Sequence, residues 1–167
     1  MTLKILKFPD PILGETMPQF DFNNPIMDPK ELEKSLIETM LSNRGIGLAA
    51  NQVGIKTSVF TIGHSENPET AQAFFNPVIV KTSKEFNDMV EGCLSFPGIY
   101  AKIKRPAVIH AKWQNSDGVW QEDELDGYNA KCFCHEYDHL HAIVMKDRVS
   151  QIRWALAVKK SHKIGKK

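Results

Sequence analysis

Nothing in this chain of 167 residues is apolar for long enough to cross a membrane, and its first residues, Met1 to Lys7, hold no run of signal-peptide length. The expected setting is cytoplasmic, with an organellar stroma or matrix, or a virus-encoded protein at work in a bacterial cytoplasm, left open. Cysteine is scarce. Cys93, Cys132 and Cys134 are an odd set with two of them only two residues apart, which argues against a disulfide framework and for reduced thiols. Repeats and low-complexity blocks are absent too, and 42% hydrophobic content suffices for one sizeable core. The expected organisation is one catalytic domain over 1–150 followed by a basic helix or tail over 151–167. That last stretch lacks acids altogether while carrying Arg153, Lys159, Lys160, Lys163, Lys166 and Lys167, although the chain as a whole has 21 basic and 20 acidic residues. A solvated helix end and a contact with RNA or another acidic surface are both open readings of it.

What the sequence does contain is His135-Glu136-Tyr137-Asp138-His139, a H-E-x-x-H pattern within a segment of helical period. Residues four apart on a helix lie about 6 Å apart along its axis on one face, so both imidazoles reach one metal ion with Glu136 beside it. A catalytic metal of this kind takes a third protein ligand and keeps a position for water. Downstream of His139 only His141, Asp147 and His162 are available, with no glutamate, and Met145 stands where a longer protease motif has its third histidine. A protease is disfavoured. Upstream, Glu91-Gly92-Cys93-Leu94-Ser95-Phe96-Pro97 sets a cysteine between a glycine and a strand-like turn, a suitable setting for a thiolate, and a Cys93, His135, His139 site follows. Glu136, next to the metal without being its ligand, is the candidate general base for a water whose pKa falls toward about 7 on binding.

Local signals place these residues. Asp28-Pro29-Lys30-Glu31 reads as a helix start with Asp28 as cap, Leu32, Leu36, Ile37, Met40 and Leu41 follow the helical period, and Gly45 is expected to end it. Runs of β-branched and aromatic residues over 58–62, 74–80, 107–113 and 119–125 predict strands, the last two joined by a turn at Asn115-Ser116-Asp117-Gly118. Asp126 is the expected cap of a second helix over 127–142, and Ser150 of a third running into the basic end. The predicted fold is α+β, with antiparallel sheets packed around a central metal-binding helix and with an N-terminal and a C-terminal helix. Gly45 and Gly47 let the backbone approach a ligand, so Ile46 and its neighbours are placed to pair with an extended peptide; Ile46, Met89 and Cys132 are either apolar contacts for its side chain or core residues.

With those residues in view, the chain resembles peptide deformylase. Gly45-Ile46-Gly47-Leu48-Ala49-Ala50-Asn51-Gln52, Glu91-Gly92-Cys93-Leu94-Ser95 and His135-Glu136-Tyr137-Asp138-His139-Leu140 match that family's motifs in order and spacing. Weaker similarity runs through Phe8-Pro9-Asp10-Pro11-Ile12-Leu13, Asn76-Pro77 and Asp147-Arg148. The resemblance implies hydrolysis of the formyl group from the formyl-methionine of a newly made polypeptide, with the amide of Gln52 and the backbone N–H of Leu94 receiving the oxyanion. It implies one divalent ion, usually Fe(II), while a thiolate and two imidazoles also suit Zn(II), Ni(II) or Co(II). N-formylmethionyl nascent peptides are the implied partners, with ribosome contact through the basic end and neither membrane nor cognate DNA. A metal-dependent amidase of other substrate and a noncatalytic homologue that binds nascent chains or ribosomes are the alternatives.

The chain departs from the family pattern at Tyr100, where arginine is frequent, at Tyr128 and Lys131, where apolar pocket residues are common, at Cys134 and at His141-Ala142. None of these is a ligand or Glu136. Lys131, one turn before His135, either extends along its apolar stem to solvent or reaches the bound peptide and favours an acidic residue after the formyl-methionine. Cys132 and Cys134 are expected to be buried packing thiols.

Overall fold

The computed structural model describes residues 1–164. Two antiparallel sheets and three helices form an α+β fold. The larger sheet runs in the order β1 (Gly47–Ala49), β2 (Val59–His64), β3 (Asn67–Thr82), β6 (Val108–Gln114) and β7 (Trp120–Asp126). The smaller is a hairpin of β4 (Phe86–Cys93) and β5 (Phe96–Pro106). The predicted strands are all present, and β3 extends well beyond its expected start.

Side-chain alternation divides the larger sheet between two helices. Leu48, Val59, Ala73 and Phe75 face α1 (Pro29–Ser42), packing with Leu32, Leu36 and Met40. Ala49, Phe60 and Phe74 face the other way, onto α2 (Gly127–Leu140), where Phe133 meets Phe60 and Phe74 edge-on at 5.0 and 5.4 Å between ring centres. Each of these fully buried side chains stabilises the fold by about 1.5–3 kcal/mol. The hairpin closes over α2 from the opposite side through Phe96, Ala101 and Ile103. The motif helix is thereby packed between both sheets.

Helix α1 starts as expected: the Asp28 carboxylate accepts hydrogen bonds from the amides of Lys30 and Glu31, both at 3.0 Å, with Pro29 in the first position. Its end differs. Arg44, with φ +55, takes the left-handed conformation expected of Gly45, and the amides of Arg44 and Gly45 close on the carbonyls of Leu41 and Met40. A Cβ at Gly45 would lie 2.8 Å from Leu94 Cδ1 and 3.3 Å from the Met40 carbonyl oxygen, so a side chain there would have to displace Leu94.

At the start of α2, Asp126 stands in the cap position without a side-chain capping bond; the amide of Gly127, at φ +49, donates to the Ala107 carbonyl and ties the helix to the sheet. The helix ends at Leu140 rather than Ala142, because Ala142 turns left-handed at φ +61 and the amides of His141 and Ile143 both close on the Asp138 carbonyl. The third helix, α3 (Gln151–Ile164), begins where Ser150 Oγ accepts the Arg153 amide at 3.2 Å. It holds to β5 through Trp154, edge-on to Phe96 at 5.3 Å, whereas Ile152 and Leu156 stay exposed. Arg153, Lys159, Lys160 and Lys163 are exposed along it; Lys166 and Lys167 lie outside the described residues.

Candidate metal centre

Cys93 ends β4 at an irregularity in the hairpin, and its Sγ stands 3.3 Å from His139 Nε2. With His135 these residues offer three ligand atoms all within 4.8 Å of one another. His135 and His139 come from successive turns of α2, as the spacing predicts, and a soft thiolate with two imidazoles is a donor set for a transition-metal ion. The residues present therefore fit such an ion. His139 Nδ1 is buried with no hydrogen-bond partner among the described residues, while Nε2 faces the cluster.

His135 is oriented from behind. Its Nδ1 lies 2.8 Å from Glu91 Oε1, leaving Nε2 for the cluster. Glu91 in turn takes two hydrogen bonds from Arg105, at 2.9 and 3.0 Å; Arg105 reaches Asp138 at 2.6 Å, and Asp138 is held by Arg148 at 2.6 and 2.9 Å. This buried chain runs from the hairpin through α2 to Arg148, which follows it. Burial alone would raise Glu91, but the bonds from His135 and Arg105 bring it down to about 2, so it is an anion throughout the neutral range. Burial likewise opposes a charged His135, yet Cys93 and Glu91 raise it above the ordinary value, whereas burial and the neighbouring His135 hold His139 well below its own. Glu91 was quoted in the sequence only as part of a motif; Arg105 and Asp138 had no signal of their own, since an arginine in a charged strand reads as exposed.

Glu136 is 5% exposed and its Oε2 has no partner among the described residues. Burial is the main reason its carboxyl is pushed up to about 7, within reach of both protonation states at neutral pH. Gln52, which lines the same cavity, is fixed in orientation. Its Oε1 accepts the Ala49 amide at 2.9 Å, and its Nε2 donates to Ser95 Oγ at 3.0 Å while facing Cys93 Sγ at 3.5 Å. Ser95 is a further contact that the sequence reading did not single out.

The centre opens into a cavity of about 410 Å³. Gly45, Ile46, Gly47, Leu94 and Cys132 line it, as expected, and so does Tyr100. Met89 does not: it lies two residues before Glu91 along β4, one strand repeat farther from Cys93, paired with Ile103. Cys132 and Cys134 are buried, and burial pushes their thiols up to about 12 and 11, as suits packing groups rather than thiolate ligands. Of the two readings of Lys131, the structure disfavours the solvated one. It is 7% exposed, its Nζ donates to the Val90 carbonyl at 3.3 Å and sits 4.2 Å from the centre of the Tyr128 ring, and it lines the cavity.

Comparison with known proteins agrees with this geometry. The family model described as polypeptide deformylase matches residues 2–154. The peptide deformylase of Novosphingobium aromaticivorans is 35% identical over 98% of this chain and 97% of its own length. The crystal structure of the Thermotoga maritima peptide deformylase superposes with a TM-score of 0.83 at 37% identity, over 90% of this chain and 99% of that one. That of the Legionella pneumophila peptide deformylase gives 0.89 at 28% identity, over 99% and 96%.

Proposed function

The chain belongs to the polypeptide deformylase family, and on that premise we propose how its residues divide the work. It is a metal-dependent hydrolase that removes the formyl group from newly synthesised polypeptides, releasing formate. Cys93, His135 and His139 would hold the ion, and a divalent ion there would supply Lewis acidity and an activated water at neutral pH. Glu136 takes the proton from the attacking water and later delivers it to the nitrogen of the departing amine. As the C–N bond breaks, the carbon leaves as formate. The negative oxygen formed on the way is met by Gln52 Nε2 and the Leu94 backbone N–H. The observation that carries this reading is the Cys93, His135, His139 cluster with the buried Glu136 and the Gln52 amide lining the same cavity, Gln52 Nε2 lying 3.5 Å from Cys93 Sγ.

Strand β1 lies at the edge of its sheet, and Gly45, Ile46 and Gly47 border the cavity, an arrangement that supports addition of the substrate as an extended strand. Cys132 then offers an apolar wall to its first side chain. Fe(II) is the ion we assign, with Zn(II), Ni(II) and Co(II) compatible with the same donors. We assign the catalytic domain to residues 1–150, the basic helix or tail to 151–167, and the cytoplasm as the setting. Among the described residues no helix is long and apolar enough to cross a membrane.

Formate release from a formyl-Met peptide beside an acetyl-Met peptide, under anaerobic and metal-replete conditions, tests the activity. Release from the first only is expected, and none from either would point to the noncatalytic reading. The exposed cations Arg153, Lys159, Lys160 and Lys163 support a contact with ribosomal RNA. Changing Lys159, Lys160 and Lys163 to glutamine, which spares the packed Trp154, should weaken ribosome cosedimentation in a salt-dependent way; unchanged sedimentation would remove this contact.

A further inference from the structure

Three cations line the cavity, Lys7, Arg44 and Lys131, and none of them makes an ion pair among the described residues. The carboxylates that line it are Glu91 and Glu136. Glu91 is committed to Arg105 and His135, and Glu136 is buried beside the metal cluster. Lys131 is the most telling of the three. An ammonium brings three donors, and this one is 7% exposed with a single protein acceptor, the Val90 carbonyl, and the face of Tyr128 beneath it. Lys7 adds its Nζ at the Leu94 carbonyl, 2.9 Å away, on the stretch that follows Cys93, and Arg44 borders the cavity next to Gly45. One buried ammonium, Lys131, with two exposed cations, Lys7 and Arg44, lining the same concave site attracts an anion and disfavours a cation.

We infer that this deformylase selects formylated peptides with acidic side chains immediately after the first residue, Lys131 being the main selecting group and Arg44 and Lys7 extending the positive wall. The inference rests on the deformylase reading and deepens it. Acidic residues following the formylated one bring carboxylate oxygens to donors the fold leaves unused, whereas lysine or arginine there meets like charge in a site partly shielded from water.

The test compares kcat/KM for formyl-Met-Glu-Glu and formyl-Met-Lys-Lys amides on the metal-replete enzyme, at low and at high salt. At low salt the acidic peptide should be preferred by about tenfold, and the preference should shrink as salt screens the rim charges. In Lys131→Met the ratio should fall toward one, and in Lys131→Arg it should persist. A ratio near one in the parent at low salt overturns the inference even if Lys131→Met fails to fold, and so does a ratio unchanged in Lys131→Met. Equal formate release from both peptides leaves the deformylase reading standing, whereas no release from any formyl peptide removes that reading and the selectivity together.

Discussion

The carboxylate of Glu136 occupies the space that a side chain on Gly47 would fill. A Cβ built on Gly47 would meet Glu136 Cδ and Cγ at 2.8 Å, so the edge strand and the motif helix approach as they do only because residue 47 has no side chain. Gly47→Ala should therefore displace the base rather than the ligands. The expected result is a loss of about 10²-fold in kcat with metal content kept. Full activity in Gly47→Ala would mean that Glu136 has a second productive position.

Glu91 holds His135 by its Nδ1, and removing its charge should loosen the ligand. In Glu91→Gln, metal affinity is expected to fall by about ten- to a hundredfold. Arg105 would also lose part of its neutralisation, lowering stability by about 3 kcal/mol. Metal titration of the refolded variant decides the point, and an unchanged affinity would show that the Cys93 and His139 arms position the ion without help.

For Gln52 the expectation is a kinetic split. Because its hydrogen bond strengthens as charge gathers on the formyl oxygen, Gln52→Leu should reduce kcat by about 10²–10³ and change KM far less. A change confined to KM would move Gln52 from the reacting atoms to ground-state binding.

Burial raises the Glu136 carboxyl to about 7, above its ordinary 4.5, so in the metal-free protein the folded state keeps a proton the unfolded state has released. The associated stability is fully present below about pH 4.5 and is lost as pH rises through 7. Glutamine at this position has no charge to bury. Metal-free Glu136→Gln should match the parent in Tm near pH 5 and exceed it at pH 8; parallel Tm curves across that range would show that the carboxylate is solvated after all.

The histidine pair of the centre was legible because it is local, whereas Cys93, 46 residues from His139, was picked out by its own motif. The spacing of His135 and His139 on one helix, the Asp28 and Pro29 start of α1 and the turn over 115–118 each follow from near neighbours in the chain. The β4–β5 hairpin was not, since most of β4 is exposed and, in β5, the charged Arg105 takes an inward position in the alternation that Ala101 and Ile103 begin. Arg105 is buried only through partners at Glu91 and Asp138, 14 and 33 residues away, a tertiary fact without a local pattern. The sequence left Lys131 open between solvent and the peptide path for the same reason. What holds it inside is the Val90 carbonyl of an unanticipated strand and the ring of Tyr128.

The central claim is that Glu136 moves protons and binds no metal. It is tested most directly by measuring metal content and formate release from a formyl-Met-Ala-Ser peptide on the same preparation of Glu136→Gln. We predict about one metal ion per chain, as in the parent, with turnover reduced by about 10²–10⁴-fold, the range of a lost acid–base group. An empty site, or a metal-loaded variant turning over at the parent rate, would contradict it.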